Sequence, residues 1–370
     1  MAATLIGFTG LGLRAQMPEA LPLPAVWDAV HTVRGGGGYK DNVFLSHANP
    51  QGSAFVSGGA DVMVLRLAPI GPQINLFASA DVDHFLSLSP SHDEYTVFAQ
   101  AQVEQSLSAA MKASLAAEYF YQDQFLDLTF LDPAGGGTNA SSHSAAVRGH
   151  TLTARPGLRL DLPGRFWLAL EGVVTRQYFE QPLDDSWKAG GKFTAGHTYG
   201  HNSHVSISYE PAWRWFDTEA ALTETGTPIP ATRRERFQQE AILAWRHYWD
   251  EPKHWRTTTK LGGRTTSENG GGFADYTEFL GSAQILYRAK PWEVAAEGKV
   301  RNYDYRTQTV SATDPAKRRR TEWVIGFRLE RDLSRHLRLV TSFEREETLS
   351  NDELETYTMN TVSGLLQWEF

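Results

Sequence analysis

The 370-residue sequence predicts an all-β chain closed into a transmembrane antiparallel up-and-down β-barrel of about 16 strands. Three observations carry that prediction. From about Ala25 onward apolar and polar residues alternate with a period of two, tight turns alternate with longer polar loops, and the last strand keeps an apolar face as far as Phe370. Beyond the N-terminal stretch no run of apolar residues is long enough for a helical span. A barrel hides its hydrophobicity in alternation, so a mean hydropathy of -0.38 is compatible with a membrane. The absence of Cys excludes a disulfide framework, a thiolate metal site and cysteine catalysis.

Ala2 to Leu13 form a short apolar stretch followed by Arg14-Ala15-Gln16, which reads as a signal-peptide core with a small-residue cleavage site. Residues 1–15 are therefore expected to be a signal peptide, 16–25 a short periplasmic segment and 26–370 the barrel.

The alternation then repeats strand by strand. Ile74, Leu76, Ala78, Ala80 and Val82 alternate with Asn75, Ser79, Asp81 and Asp83, and Tyr95, Val97, Ala99, Ala101 and Val103 with Gln100, Gln102 and Glu104. Val205, Ile207, Tyr209, Trp213 and Trp215 share one face, as do Trp292, Val294, Ala296, Gly298 and Val300, and later Thr321, Trp323, Ile325, Phe327 and Leu329. Strands are expected near 26–40, 53–69, 72–86, 94–109, 111–128, 150–162, 165–180, 186–200, 203–216, 234–249, 254–267, 273–288, 292–307, 320–332, 336–348 and 354–370. The 355 residues from Gln16 to Phe370 give about 22 per strand with its connector, enough for a membrane-spanning strand and a turn or loop.

The connectors decide between a soluble sandwich and a barrel. Short turns at Ile70-Gly71-Pro72, Asp161-Leu162-Pro163-Gly164, Asp250-Glu251-Pro252, Ala289-Lys290-Pro291 and Asp332-Leu333-Ser334 alternate with long polar loops at 131–149, 217–232 and 310–319. Tight turns at the periplasm and long loops outside are the asymmetry of an outer-membrane barrel. Trp187, Trp215, Trp249, Trp255, Trp292, Trp323 and Trp368 fall near strand ends on the apolar face, as interfacial girdles require.

The polar faces then line a lumen whose charges are unevenly placed. Strands two to five supply an acidic wall of Asp61, Asp81, Asp83, Glu94, Glu104 and Glu118, with Lys112 the main base among them. Strands six to eleven supply a basic wall of Arg155, Arg159, Lys188, Lys192, Arg214, Arg246, Arg256, Lys260 and Arg264. Facing walls of this kind orient dipolar solutes, and clustered cations select anions. The same charges would equally well stabilise a filled lumen as interdigitated ion pairs.

No catalytic role is expected. His197, His201, Ser203 and His204 cluster around one turn, but the four-residue spacing of His197 and His201 brings ligands together on a helix and not on a strand end. Gly35 to Gly38 lack the Lys-Ser/Thr of a phosphate loop and are read as relief of crowding in a strand. No cofactor, metal or nucleic-acid partner is expected.

A final strand with Val362, Leu366, Trp368 and Phe370 on one face resembles the last strand of bacterial outer-membrane β-barrels. That resemblance implies that these residues are the signal read by the barrel-assembly machinery, with outer-membrane lipids around the wall. Gly38-Tyr39-Lys40-Asp41-Asn42-Val43-Phe44-Leu45, after a Gly-rich first strand, resembles the opening of β-barrel porin families that include barrels associated with exopolysaccharide export. It implies an outer-membrane channel of a Gram-negative bacterium at the outer-membrane step of exopolysaccharide or capsule secretion, with polysaccharide-export proteins as partners. A plugged barrel that anchors a surface or periplasmic complex is the alternative.

Overall fold

Period-two alternation becomes sixteen antiparallel strands, each hydrogen-bonded to its sequence neighbours and the last to the first. The computed structural model describes residues 27–67, 71–88, 93–127, 144–180, 183–310 and 314–370, so the expected signal peptide and short periplasmic segment lie outside the described residues. The strands are β1 (Trp27–Lys40), β2 (Ser53–Arg66), β3 (Gln73–Phe85), β4 (Asp93–Ser106), β5 (Met111–Asp127), β6 (Ser144–Asp161), β7 (Phe166–Phe179) and β8 (Ser186–Tyr199). They continue as β9 (Ser203–Phe216), β10 (Glu235–Tyr248), β11 (Trp255–Glu268), β12 (Tyr276–Ala289), β13 (Trp292–Thr309), β14 (Lys317–Asp332), β15 (Leu337–Ser350) and β16 (Tyr357–Glu369). The sheet closes as one barrel in sequence order, which removes every free edge.

The expected strands are all present, with two early starts. β6 begins at Ser144 and not near 150, and β14 at Lys317 and not near 320. The first extension is short of large apolar residues and the second is charged in sequence, yet Val147 and Arg318 on them are buried, and it is pairing with β5 and β13 that makes them strand.

Connector length sets the polarity of the barrel. Residues 107–110, 162–165, 200–202, 249–254, 290–291 and 333–336 close one end tightly, while 41–52, 217–234 and 269–275 extend from the other. The tight end is periplasmic and the looped end extracellular. The turn between β8 and β9 shows why it can be short: Gly200 and Asn202 take φ of 50° and 68°, a left-handed conformation that Gly and Asn adopt cheaply.

The outward face is apolar along the length that a bilayer covers. Leu115, Leu152, Leu158, Leu168, Leu170, Phe193, Ile207, Leu243, Leu261, Phe279, Ile285, Ile325 and Phe327 are all exposed, an arrangement that only lipid makes favourable. Trp27, Trp249, Trp255, Trp292 and Trp368 ring the periplasmic side, and Tyr39, Tyr95, Tyr178, Trp187, Trp213, Trp215 and Trp323 the extracellular side. Every Trp named from the sequence as a girdle residue faces outward.

The β1–β16 seam runs from Thr32↔Glu369 to Lys40↔Thr361. Gly35 to Gly38 lie in it. A Cβ on Gly38 would stand 2.6 Å from the Phe55 ring and one on Gly37 2.6 Å from the Phe55 carbonyl oxygen, so bare backbone here is what lets neighbouring groups approach. Above the glycines, the Asp41-Asn42-Val43 turn fastens the seam. The Asp41 carboxylate accepts from the Asn360 backbone N–H and from Asn360 Nδ2, each at 2.7 Å. Asn42 is 1% exposed, and its Nδ2 donates to the Ser46 and Thr358 carbonyls at 2.9 and 3.1 Å. Asn42→Ala would remove the donor these half-buried carbonyls share and is expected to cost about 1–3 kcal/mol, read as a lower urea midpoint of the refolded barrel.

Val43 then turns in against Phe55, Phe85 and Leu88, and Phe44 meets Phe125 with ring centroids 4.6 Å apart. Phe55 and Phe85 are on the lumen face, since their neighbours Val56 and His84 point out. An apolar cluster therefore sits inside the extracellular mouth on the β2–β5 side.

Candidate functional site

The lumen carries the functional candidates, and neighbouring strands decide which of its charges remain available. On β1 to β5 the acids meet bases beside them. Arg34 of β1 bonds both Asp61 and Asp81, donating from Nε to Asp81 Oδ1 at 2.8 Å. Lys40 lies 3.5 Å from Glu94, Lys112 2.9 Å from Glu104, and Arg155 3.4 Å from Glu118. Asp83 accepts from the Ser57 hydroxyl.

Part of the basic series is neutralised in the same lateral way. Arg155 also reaches Glu171 at 3.3 Å, Arg159 pairs with Asp161 at 2.9 Å and stacks over Trp167, and Lys188 pairs with Glu210 at 3.2 Å. Arg214 donates to the Ser186 hydroxyl at 3.0 Å and lies over Phe216. Arg264 bonds Glu240 and, at 3.0 Å, Glu278.

Within this series, Lys192, Arg246, Arg256 and Lys260 have no carboxylate in ion-pair reach among the described residues. They occupy the middle and periplasmic half of β8 to β11. Register places Arg246 opposite His204, Tyr248 opposite Arg256 and Ala244 opposite Lys260. Arg256 donates to Gln284 at 3.2 Å, while the buried Nε atoms of Arg246 and Arg256 have no hydrogen-bond partner. Lys260 feels the like charges of Lys192, Arg246 and Lys299, each more strongly than the opposite charge of Glu240. Clustered cations that leave each other unneutralised are a site for an anion.

The extracellular half between β10 and β16 is different. Arg236, Glu278, Gln308, Arg320 and Glu355 are each at most 2% exposed. Arg318 bonds Glu355 and donates to Gln308 at 2.8 Å, Arg320 pairs with Glu322 at 3.0 Å, and Arg301 lies 3.7 Å from Glu278. Tyr276, Tyr303 and Tyr305 pack among them. Charge here is consumed in a packed polar wall. The sequence reading missed Arg34, Glu171, Glu210, Glu240, Glu278 and this wall, because the partners come from register between strands.

The histidine cluster disperses. His197 packs at a tilt against Phe166 on the outward face, His204 faces the lumen opposite Arg246, and Ser203 Oγ accepts from the Tyr248 backbone N–H at 3.0 Å. No group of three metal-ligating side chains occurs among the described residues.

The closed wall, its apolar outer band and its two girdles define the class: the chain is an outer-membrane β-barrel. No family model matches the sequence, and no curated protein does. Among solved structures it is similar to OccAB1 of Acinetobacter baumannii, with 8% identity and a TM-score of 0.50 over 93% of this chain and 96% of that one. It is also similar to a bacterial polysaccharide outer membrane secretin (11% identity, TM-score 0.44, 92% and 98% covered). OccK2 (OpdF) of Pseudomonas aeruginosa, solved with glucuronate, matches with 10% identity and a TM-score of 0.47 over 93% and 98%. At such identities the common property is the fold.

Proposed function

We propose that this barrel is an outer-membrane diffusion channel with a preference for anionic solutes. The observation that carries the reading is the patch of Lys192, Arg246, Arg256 and Lys260, left without carboxylate partners in a lumen whose other charges are largely paired. Barrels of this strand number enclose an aqueous channel when their loops leave one, and unneutralised cations along such a path raise the local anion concentration. The outer-membrane step of exopolysaccharide or capsule secretion is the finer form of the reading. Its support is the likeness carried by Asp41-Asn42-Val43, and polysaccharide-export proteins would be the partners.

Planar-bilayer recording of the refolded protein tests this. Under a salt gradient the reversal potential should show anion preference at low salt, weakening as salt screens the patch. Replacing Lys192, Arg246, Arg256 and Lys260 together by Gln should shift it toward cations. Absence of conductance would favour the plugged docking barrel, a reading that the packed extracellular wall and the Val43–Phe55–Phe85–Leu88 cluster support.

A further inference from the structure

The extracellular end of the outward wall is not uniform around the barrel. On β7 to β9 it is aromatic, with Tyr178, Trp187, Trp213 and Trp215 exposed. On β13 to β15 it is charged. Arg318 and Arg320 are buried in the lumen network, so by alternation Lys317 and Arg319 point outward. Arg319 lies 3.3 Å from Asp304, with both side chains more than 60% exposed, and Arg306, two residues beyond Asp304, is 74% exposed and 4.0 Å from Asp275. Lower on the same face Arg345 pairs with Glu347 at 3.2 Å.

Register gives the depths. Glu347 is level with Trp323 and Arg345 with Ile325, so Arg345 sits on the membrane side of the girdle tryptophan. A lipid-facing guanidinium at that depth is unfavourable unless its head reaches the interface or meets an anion. Arg319 is four residues above Trp323 on β14, about 13 Å along the strand and about 10 Å in height for a strand tilted by about 40°. Four outward bases, Arg306, Lys317, Arg319 and Arg345, stand against three acids that pair with them, Asp275, Asp304 and Glu347. They form a rising track of net positive charge that begins at headgroup level and continues above it.

We propose that this outward face of β13 to β15 binds a phosphorylated glycolipid of the outer leaflet. Arg345 would take a phosphate on the acylated disaccharide, while Arg319, Arg306 and Lys317 take anionic groups on the sugars above. Glu347, Asp304 and Asp275 hold the guanidinium groups of Arg345, Arg319 and Arg306. The height and span of the track favour a lipid whose charge extends from the membrane surface outward, and a phospholipid headgroup would reach only its lowest member. Exposed apolar residues such as Ile325 and Phe327 directly below offer the surface for its acyl chains.

Native mass spectrometry of the refolded, detergent-solubilised barrel tests this with three probes: bis-phosphorylated lipid A, its dephosphorylated form and phosphatidylethanolamine. The expected order is lipid A first, with the other two weak and alike. Arg306→Gln, Arg319→Gln and Arg345→Gln together should weaken lipid A binding about a hundredfold, and Arg345→Gln alone about fivefold, with phosphatidylethanolamine unchanged. Heat-modifiable migration on gels shows whether each variant is folded, and Arg345→Gln carries the test if the triple variant is not. Equal binding of the phosphorylated and dephosphorylated forms, or of lipid A to wild type and variants, overturns the proposal. So does full displacement of lipid A by equimolar inorganic phosphate, which would mark a plain anion site, or a dimer in vesicles that the triple variant abolishes, which would assign the face to a second copy.

Discussion

Leu243→Arg should lose about 2–4 kcal/mol of stability in urea titrations of the barrel refolded in bilayer vesicles. Leu243 is 47% exposed on the outward face, in a cross-strand row with Ile207 and Leu261 and midway between Trp249 of the periplasmic ring and Phe237, which packs on Trp213 of the extracellular ring. An arginine there meets hydrocarbon near the bilayer midplane, too far from either interface for its side chain to reach water cheaply. The control lies one residue from Ile207. Ser208 faces the lumen, and Ser208→Arg should be nearly neutral. Equal losses at the two positions would show that this segment does not present its odd residues to lipid, since a slip of one residue inverts every assignment on the strand.

The second large effect belongs to Arg264. It bonds Glu240 and Glu278, and Glu278 is 1% exposed. Arg264→Leu leaves a buried carboxylate with Arg301 at 3.7 Å as its remaining neighbour, and the loss should be about 3–5 kcal/mol. Adding Glu278→Leu removes the more deeply buried of the two carboxylates that Arg264 held and leaves only the more exposed Glu240, so the double variant should recover most of that loss. A double variant as unstable as the single one would mean that Arg264 acts through packing and not through its charge.

These two positions also mark how far the sequence could be read. Leu243 is legible because its environment follows from its own strand: alternation fixes the face, and the Trp residues near strand ends fix the depth. Arg264 is legible only as a base on a lumen-facing position. Its partners come from β10 and β12 and are set by register, which the period of two does not contain. The same limit explains Arg34, whose partner Asp81 is 47 residues away, and the two walls of opposite charge, whose members mostly pair with neighbours beside them. What survives of the basic series, Lys192, Arg246, Arg256 and Lys260, is a remainder after pairing. Loops show the limit most sharply: nothing in the pattern of residues 41–52 indicates that Val43 turns in against Phe55 and Phe85.

The fastening of β1 to β16 by Asp41 and Asn360 has a consequence for how the molecule comes into being. The two residues are 319 positions apart, so this contact can form only when nearly every other strand is in place. Until then a growing sheet exposes two unpaired edges, one along β1 and one along β16, each a template for a neighbouring chain. Contacts of such sequence separation are slow to find, and the interval before closure is the time at which the protein is most vulnerable to aggregation. A clamp placed at the rim of the seam turns a reversible encounter of those edges into a committed one, and the ring, once shut, has no end from which to unravel.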